Sequence, residues 1–374
     1  MKKLLRRCTA ALLAAGTIWV VAATAESPSA AAAVSAVRDS FHLQRMLVQM
    51  ELGSPAGKGG MNLSTLLCLG QSPLLWAAYD ALLQEDPAPT PQPDPPEEEP
   101  QPAENPGQDA AAGLTFADNG APSQTVIPSS GKSYTVAGNV YIKNSSDYTL
   151  DPAVLDGSFP AKLGSADAPQ VLILHTHGSE AYTMPAGEEY TPSGSYRTAD
   201  TEKNMIRIGD EIAAVLSQYG ISVLHDRQIH DTDYNSAYDE SYSSAAAYLE
   251  QYPSISFVLD VHRDAISDTE GRQYKVVSQE DPRAAQVSIV MGSSYDAWLD
   301  NLRLAAAVQG HLLEKHPTLM RPIILRYYGY NQSLSTGAML VEIGAAGNSL
   351  DEAIYAARLF AAGFAETVGG TKAQ

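Results

Sequence analysis

Beyond residue 68 this chain of 374 residues has no cysteine; Cys8 and Cys68 are its only two. The long C-terminal part therefore lacks a disulfide framework and must hold its core by packing alone. Between Glu85 and Asp109 there is no lysine and no arginine, while eight acidic residues and nine prolines crowd the same stretch. That composition predicts a solvated, stiff, extended and disordered linker over about 85–115. The formal charge is −19. Phosphate binding demands clustered Lys and Arg, so this balance argues against a nucleic-acid partner. No internal repeat is present.

What the chain does contain begins at its N-terminus. Lys2, Lys3, Arg6 and Arg7 precede an uncharged run from Thr9 to Ala25, a basic region before an apolar one, as in exported chains. The run is about long enough to span a bilayer, and Ala23-Thr24-Ala25 resembles a small-residue cleavage site. A retained signal anchor and a cleaved signal peptide therefore both fit residues 1–25, and the expected location is the outer face of a cell membrane or the space beyond it. Residues 26–84 contain "FHLQRMLVQMEL" and "LLCLGQSPLLWAAYDALL". They read as a juxtamembrane helical segment, too interrupted by Gly, Ser and Pro for a second span. About 116–374 is long enough for a globular domain with a real core. Within it, 116–167 reads as a small β-rich lead-in and 168–374 as the main body.

Strand-like runs in that body are "VLIL" (171–174), "ISVLHD" (221–226), "ISFVLDVH" (255–262), "QVSIVMG" (286–292), "PIILRYY" (322–328) and "AMLVEIG" (338–344). Between several of them lie helical patterns. Met205, Ile208, Ile212, Val215 and Tyr219 recur at three-to-four spacing, a second helix runs through "SAAAYLEQY", a third covers about 297–315 and the last 350–365. Val-, Ile- and Leu-rich strands alternating with amphipathic helices predict an α/β fold, a mostly parallel mixed sheet covered by helices on both faces. Chemistry in such sheets gathers beyond the carboxyl ends of strands.

Four strand or helix ends carry polar groups: His175 and His177 after "VLIL", Glu202 in the first turn of a helix, His262 in "VLDVH", and Glu342 inside "AMLVEIG". Imidazole and carboxylate in that mixture suit zinc, which in catalytic sites takes three protein ligands and keeps one position for water. A histidine at a strand end is by itself commonly a polar group meeting solvent, and Glu202 alone also suits a helix N-terminus. Glu342 differs, because Met339, Leu340, Val341 and Ile343 describe a buried strand. An ionised carboxylate there is costly unless paired, metal-bound or shifted in pKa. His225, His230, His311 and His316 read as surface residues. A serine hydrolase built on Ser179 has no nucleophile-elbow pattern to support it.

Taken together, "VLILHTHGSEAY", "TEKNMIRIGDEIAAVLSQYGISVLHDRQIHD", "FVLDVHRDA" and "AMLVEIGAAGNSLDEA" resemble, in colinear order over about 168–368, the stage II sporulation protein P family, a branch of the zinc-dependent N-acetylmuramoyl-L-alanine amidases. The resemblance implies an amidase-like catalytic domain over 168–374 with Zn2+ as cofactor. It implies His177, Glu202 and His262 as metal ligands, with His175 and Glu180 as alternatives, and Glu342 as catalytic base. Asp260 is a candidate partner for the second ring nitrogen of a ligating histidine. Arg263 and Asn331 are candidate substrate contacts, and Tyr327, Tyr328 and Tyr330 offer aromatic groups for sugar or peptide. The implied reaction is hydrolysis of the amide between N-acetylmuramic acid and L-alanine in peptidoglycan during engulfment, with endopeptidase activity in some members. Stage II sporulation proteins D and M are the implied partners. The competing reading is a non-catalytic peptidoglycan-binding scaffold of the cell envelope.

Overall fold

A computed structural model describes residues 110–372 except Ser129. All of these lie in one compact unit, Gln101–Gln374. The expectations for residues 1–25, 26–84 and the linker up to 109 fall outside the described residues. Among those described, no helix is long and apolar enough to cross a membrane.

Each of the six strand-like runs forms a strand: β4 (Val171–Leu174), β5 (Val223–His225), β6 (Phe257–Asp264), β8 (Val287–Gly292), β9 (Ile323–Arg326) and β10 (Gly337–Ala345). The four helical patterns form α1 (Met205–Gln218), α2 (Ala237–Gln251), α3 (Trp298–Lys315) and α4 (Leu350–Val368). Their ends carry the expected signals. Asn204 caps α1 by accepting from the Ile206 amide, and Ser349 with Glu352 builds a reciprocal capping box on α4. Gly369, at φ 96°, closes α4 in the left-handed conformation.

With β2 (Thr135–Ala137) and β3 (Val140–Ser145), the principal sheet has eight strands in the order β2-β3-β9-β8-β10-β6-β4-β5. Only the β10–β8 and β2–β3 pairs are antiparallel, so the sheet is mixed and mostly parallel. Two of its strands, β2 and β3, come from the segment read as a lead-in; β3 pairs in parallel with β9. That segment also supplies β1 (Ser123–Gln124), paired with β7 (Lys275–Val276). It is part of the same fold rather than a preface to it. The last residues of the expected linker are also packed: Ala110, Ala111 and Leu114 lie against the core, and Arg358 donates to the carbonyls of Ala110 and Ala112.

Helix coverage is unequal. Alternate strand residues such as Ile173, Leu259, Val261, Ile289 and Val341 share one core with α1, α3 and α4. Their neighbours Leu172, Leu174 and Val258 face the other way and meet only α2, through Ala245, Tyr248 and Leu249. The expectation of a sheet covered on both faces therefore holds for one face. The second is roofed by a single helix over β4 and β6, because residues 265–286 form the short β7 and loops rather than a helix. The remaining part of that face is open to serve as the floor of a cavity.

Phe364 sits at the centre of the fully covered side, edge-on to Phe257 at 5.6 Å and stacked with Phe360 at 6.2 Å. Replacing it with alanine leaves an aromatic-sized void, and Phe364→Ala is expected to cost about 3–5 kcal/mol in denaturant unfolding. A loss below 1 kcal/mol would contradict this packing.

Candidate metal and catalytic site

On the half-open face, a cavity of about 180 Å3 is lined by His177, Glu180, His262, Arg263, Asp264 and Glu342, with Tyr238, Tyr330 and Arg326 around them. Strand register creates its floor. Asp260, His262 and Asp264 alternate on β6, and β10 runs parallel beside it with Glu342 paired to His262. His262 and Glu342 thus lie within the strands, two and three residues before their ends. Past Glu342, the register shifts at a bulge before Ala345, where Gly344 takes φ 65°, a conformation that suits glycine.

The wall comes from the loop after β4. It folds back on itself: the Thr198 amide donates to the Ser179 carbonyl at 2.8 Å, Ala181 to Tyr196 at 2.9 Å, and Met205 to Glu180 at 3.0 Å. Those bonds turn Glu180 inward. Its carboxylate lies 3.3 Å from Arg197, 3.7 Å from Arg263, and 3.7 Å from His262 Nδ1. Burial opposes its charge, yet Arg263 and His262 outweigh burial and hold the carboxyl well below its ordinary range.

His177 and His262 stand nearly perpendicular, with ring centroids 5.4 Å apart. Burial, followed by the charge of His262, lowers His177 to about 4, so it is neutral and able to ligate near pH 7. His262 Nε2 is 2.9 Å from Asp260 Oδ1. This is an ionic contact, since the ring nitrogen is not aligned as a hydrogen-bond donor. Burial disfavours the charge of His262, but Asp260 and Glu180 raise its pKa well above the ordinary value. Two carboxylates thus call for positive charge at that spot. Asp260 is itself held by the amide and hydroxyl of Thr176, at 2.9 and 2.7 Å. Beside His177 lies Asp231, with Oδ2 3.9 Å from Nδ1.

Three polar atoms in this cavity or its lining are buried without a hydrogen-bond partner among the described residues: His177 Nδ1, His262 Nε2 and Glu342 Oε2. The two ring nitrogens face the carboxylates of Asp231 and Asp260, so of the three it is Glu342 Oε2 that asks for a ligand. No three His, Cys, Asp or Glu side chains among the described residues already converge at coordination distances. Nevertheless, two imidazoles and a carboxylate line the same cavity, a mixture of donor types that suits zinc. Glu342 stands next to them. Burial first, then the charge of Asp264, pushes its carboxyl up to about 8.

The sequence-predicted residues distribute as follows. His177, His262, Glu342 and the alternative Glu180 share the cavity, whereas Glu202 does not line it. Glu202 lies exposed in the turn before α1, its amide donating to Asp200. The loop after β4 carries Glu180 into the cavity instead. His175 is buried away from it; Nδ1 lies 2.8 Å from the Val261 carbonyl and Nε2 2.9 Å from His225 Nε2. Arg263 reaches the cavity lining but spends its guanidinium on the Ala181 and Tyr196 carbonyls and on Glu180. It clamps the loop. The Asn331 side chain donates to Tyr238 O and Ser241 Oγ, fixing the start of α2. Ser179 Oγ donates to Asp231 and accepts from Arg197, with no histidine as its base. His230, expected at the surface, is buried against Asp226.

Sequence reasoning missed Asp231, Arg197 and Tyr238. None lies in a periodic pattern that marks it; the one available signal was the His177–Glu180 spacing, which brings two ligand types within one loop turn. A larger cavity of about 400 Å3 lies between α1, α3 and α4. Its main charges are already paired, Arg358 with Glu211 and Lys315 with Glu366.

Two measurements test this geometry. Glu180→Gln should weaken zinc binding by at least tenfold in competition with a chromophoric chelator, and Glu202→Gln should leave it unchanged; the reverse order would restore Glu202. The second concerns Glu342 in metal-free protein. With a pKa raised from 4.5 to about 8, the folded state binds more protons than the unfolded chain across that window, so the contribution of this group to stability falls as pH rises. Glu342→Gln should therefore gain stability relative to wild type between about pH 5 and 8 in denaturant titrations with chelator; parallel pH profiles would contradict the shift.

Comparison with known proteins gives the family. The family model for stage II sporulation protein P matches residues 98–365. A curated relative, stage II sporulation protein P of Bacillus subtilis (strain 168), is 25% identical over 229 residues, 55% of this chain and 53% of that protein; the match spans about half the relative's length. Among solved structures, an N-acetylmuramoyl-L-alanine amidase from Clostridium difficile 630 aligns with 18% identity and a TM-score of 0.36, covering 54% of this chain and 95% of its own. The amidase AmiC2 of Nostoc punctiforme aligns with 14% identity and a TM-score of 0.31, covering 53% and 92%. By the family match, which spans most of its length, this chain belongs to the stage II sporulation protein P family.

Proposed function

We propose that this protein is a zinc-dependent peptidoglycan hydrolase that cleaves the amide between N-acetylmuramic acid and L-alanine during sporulation. The observation that carries the reading is the pairing of Glu342 with His262 in the β10–β6 register, with His177 and Glu180 in the same cavity of a chain from this family. The residues that would hold zinc are His177, Glu180 and His262, with Asp260 and Asp231 orienting the two imidazoles. Zinc, when bound, supplies Lewis-acid polarisation and lowers the pKa of water toward roughly 7.

The protein's own groups account for the proton traffic. Glu342 has a buried Oε2 with no partner, a place to receive a proton. As water adds to the amide carbon, Glu342 takes one of its protons; as the C–N bond breaks, the same carboxyl passes that proton to the departing nitrogen of L-alanine. The cavity of about 180 Å3 accommodates the scissile amide and its nearest substituents rather than a whole disaccharide-peptide.

Endopeptidase action on stem peptides, membrane anchoring through residues 1–25 with the catalytic unit outside, and operation with stage II sporulation proteins D and M during engulfment extend the same reading. They rest on the family.

The test incubates full-length protein with purified peptidoglycan, with and without zinc and chelator, and identifies products by mass spectrometry. Zinc-dependent release of stem peptides bearing a free L-alanine amine is expected, with Glu342→Gln reducing it by a factor on the order of 100 or more. Peptidoglycan binding without release, at full zinc loading, would favour the scaffold.

A further inference from the structure

The cavity changes character along its length. At one end stand the two histidines, Glu180 and Glu342; the floor continues over Leu340, Val290 and Ile324 and reaches Arg326. Strand register explains this series. Leu340 pairs with Val290 and Val290 with Ile324, and alternation along β9 brings Arg326 to the same face as Ile324. Glu342 pairs with Ser288 on β8, whereas Arg326 pairs with Gly292. Arg326 is therefore two strands across and four residues along from Glu342, about 16 Å between backbones.

Arg326 differs from the other arginines around the site. Arg197 is tied to Glu180 and Asp231, Arg263 to Glu180 and two carbonyls, and Arg321 to Asp264. No carboxylate among the described residues pairs with Arg326 in this way, and the residue is exposed. Its guanidinium lies near the hydroxyl of Tyr330, whose pKa is raised by burial and drawn back by the charge of Arg326. Tyr330 in turn meets Tyr238, another lining residue, at 6.2 Å. The cation is thus held along the cavity.

An unpaired arginine alone is an ordinary solvated group. Here its surroundings give it a use. The chain has a formal charge of −19, and Glu180 and Asp264 line the cavity beyond the apolar floor. Arg326 is the part of the lining that favours an anion, and the fork of its N–H donors matches the two oxygens of a carboxylate. Spacing decides which carboxylate. An amide held at Glu342 leaves the apolar floor for one small residue, about 3.5 Å of chain, before the Arg326 side chain is met. In a stem peptide the residue after L-alanine is a glutamate linked through its side chain, and its α-carboxyl is either free or converted to the amide.

We propose that Arg326 binds the free α-carboxylate of the second stem-peptide residue and makes the site selective for the acid over the carboxamide. This rests on the amidase reading, which defines the substrate, and adds the group that ranks one stem peptide above another.

The experiment uses the full-length chain carrying Glu342→Gln and loaded with zinc, so that binding is read without hydrolysis. The probes are N-acetylmuramoyl-L-alanyl-D-isoglutamate and the same molecule with its α-carboxyl as the amide, compared by calorimetric titration. Affinity about tenfold higher for the acid is expected. Adding Arg326→Gln should bring the ratio close to one, and Arg326→Lys should keep part of the preference. Because each ratio compares two probes on one protein, a general loss of folded protein cancels. Equal affinities in the parent protein, a ratio unchanged by Arg326→Gln, or no binding of either probe would overturn the proposal. An Arg326-dependent preference in a protein whose wild type hydrolyses neither probe nor peptidoglycan would refute the amidase and leave the carboxylate site standing.

Discussion

The pairing of β6 with β10 is the constraint on which the rest of the site depends. Parallel register sets Glu342 against His262, on the face that α1, α3 and α4 do not cover. Three of the carboxylates gathered there have cationic partners: Glu180 with Arg197 and Arg263, Asp260 with His262, and Asp264 with Arg321 at 2.8 Å. Glu342 has none within hydrogen-bonding reach at Oε2. Burial, helped by the charge of Asp264, therefore outweighs the pull of His262 and Arg321 and raises its carboxyl to about 8. A one-residue slip of β10 would turn Glu342 into the opposite core and expose Val341 to the cavity.

The loop after β4 answers to the same strands. Arg263 is the residue after His262 and points its guanidinium across to the Ala181 and Tyr196 carbonyls. One strand therefore supplies both an imidazole and the clamp that holds Glu180 beside it. Arg197 adds a second hold by reaching Glu180 and Asp231 together. Buried carboxylates stabilised in this way remain ionised, which a cation-binding carboxylate requires.

Uneven helix coverage connects this site to the wider surface. A sheet with three helices on one side and one on the other needs something over its open strands, and the protein leaves them as a cavity rimmed by tyrosines. The segment before residue 168 enlarges the same sheet, since β3 extends it beyond β9.

The amino-acid order by itself determined the elements. Runs such as "ISFVLDVH" and "AMLVEIG" read as buried strands because they are short and rich in Val, Ile and Leu; the helical spacing of Met205, Ile208 and Ile212 was equally local. His177, His262 and Glu342 were legible for a related reason: each is a polar group in an apolar setting, and local context exposes the conflict. Glu202 was misleading because a carboxylate before a helix has a local use that resembles the functional one. Choosing between it and Glu180 depended on hydrogen bonds between the two arms of a loop, from Thr198, Ala181 and Met205, and these have no periodicity to read. Likewise, Arg263 and Asn331 look like free polar groups until the fold gives them carbonyls and hydroxyls to bind. Tertiary structure alone decided which carboxylate faces the histidines, which face of the sheet stays open, and which tyrosines meet, because each depends on chain segments brought together from afar.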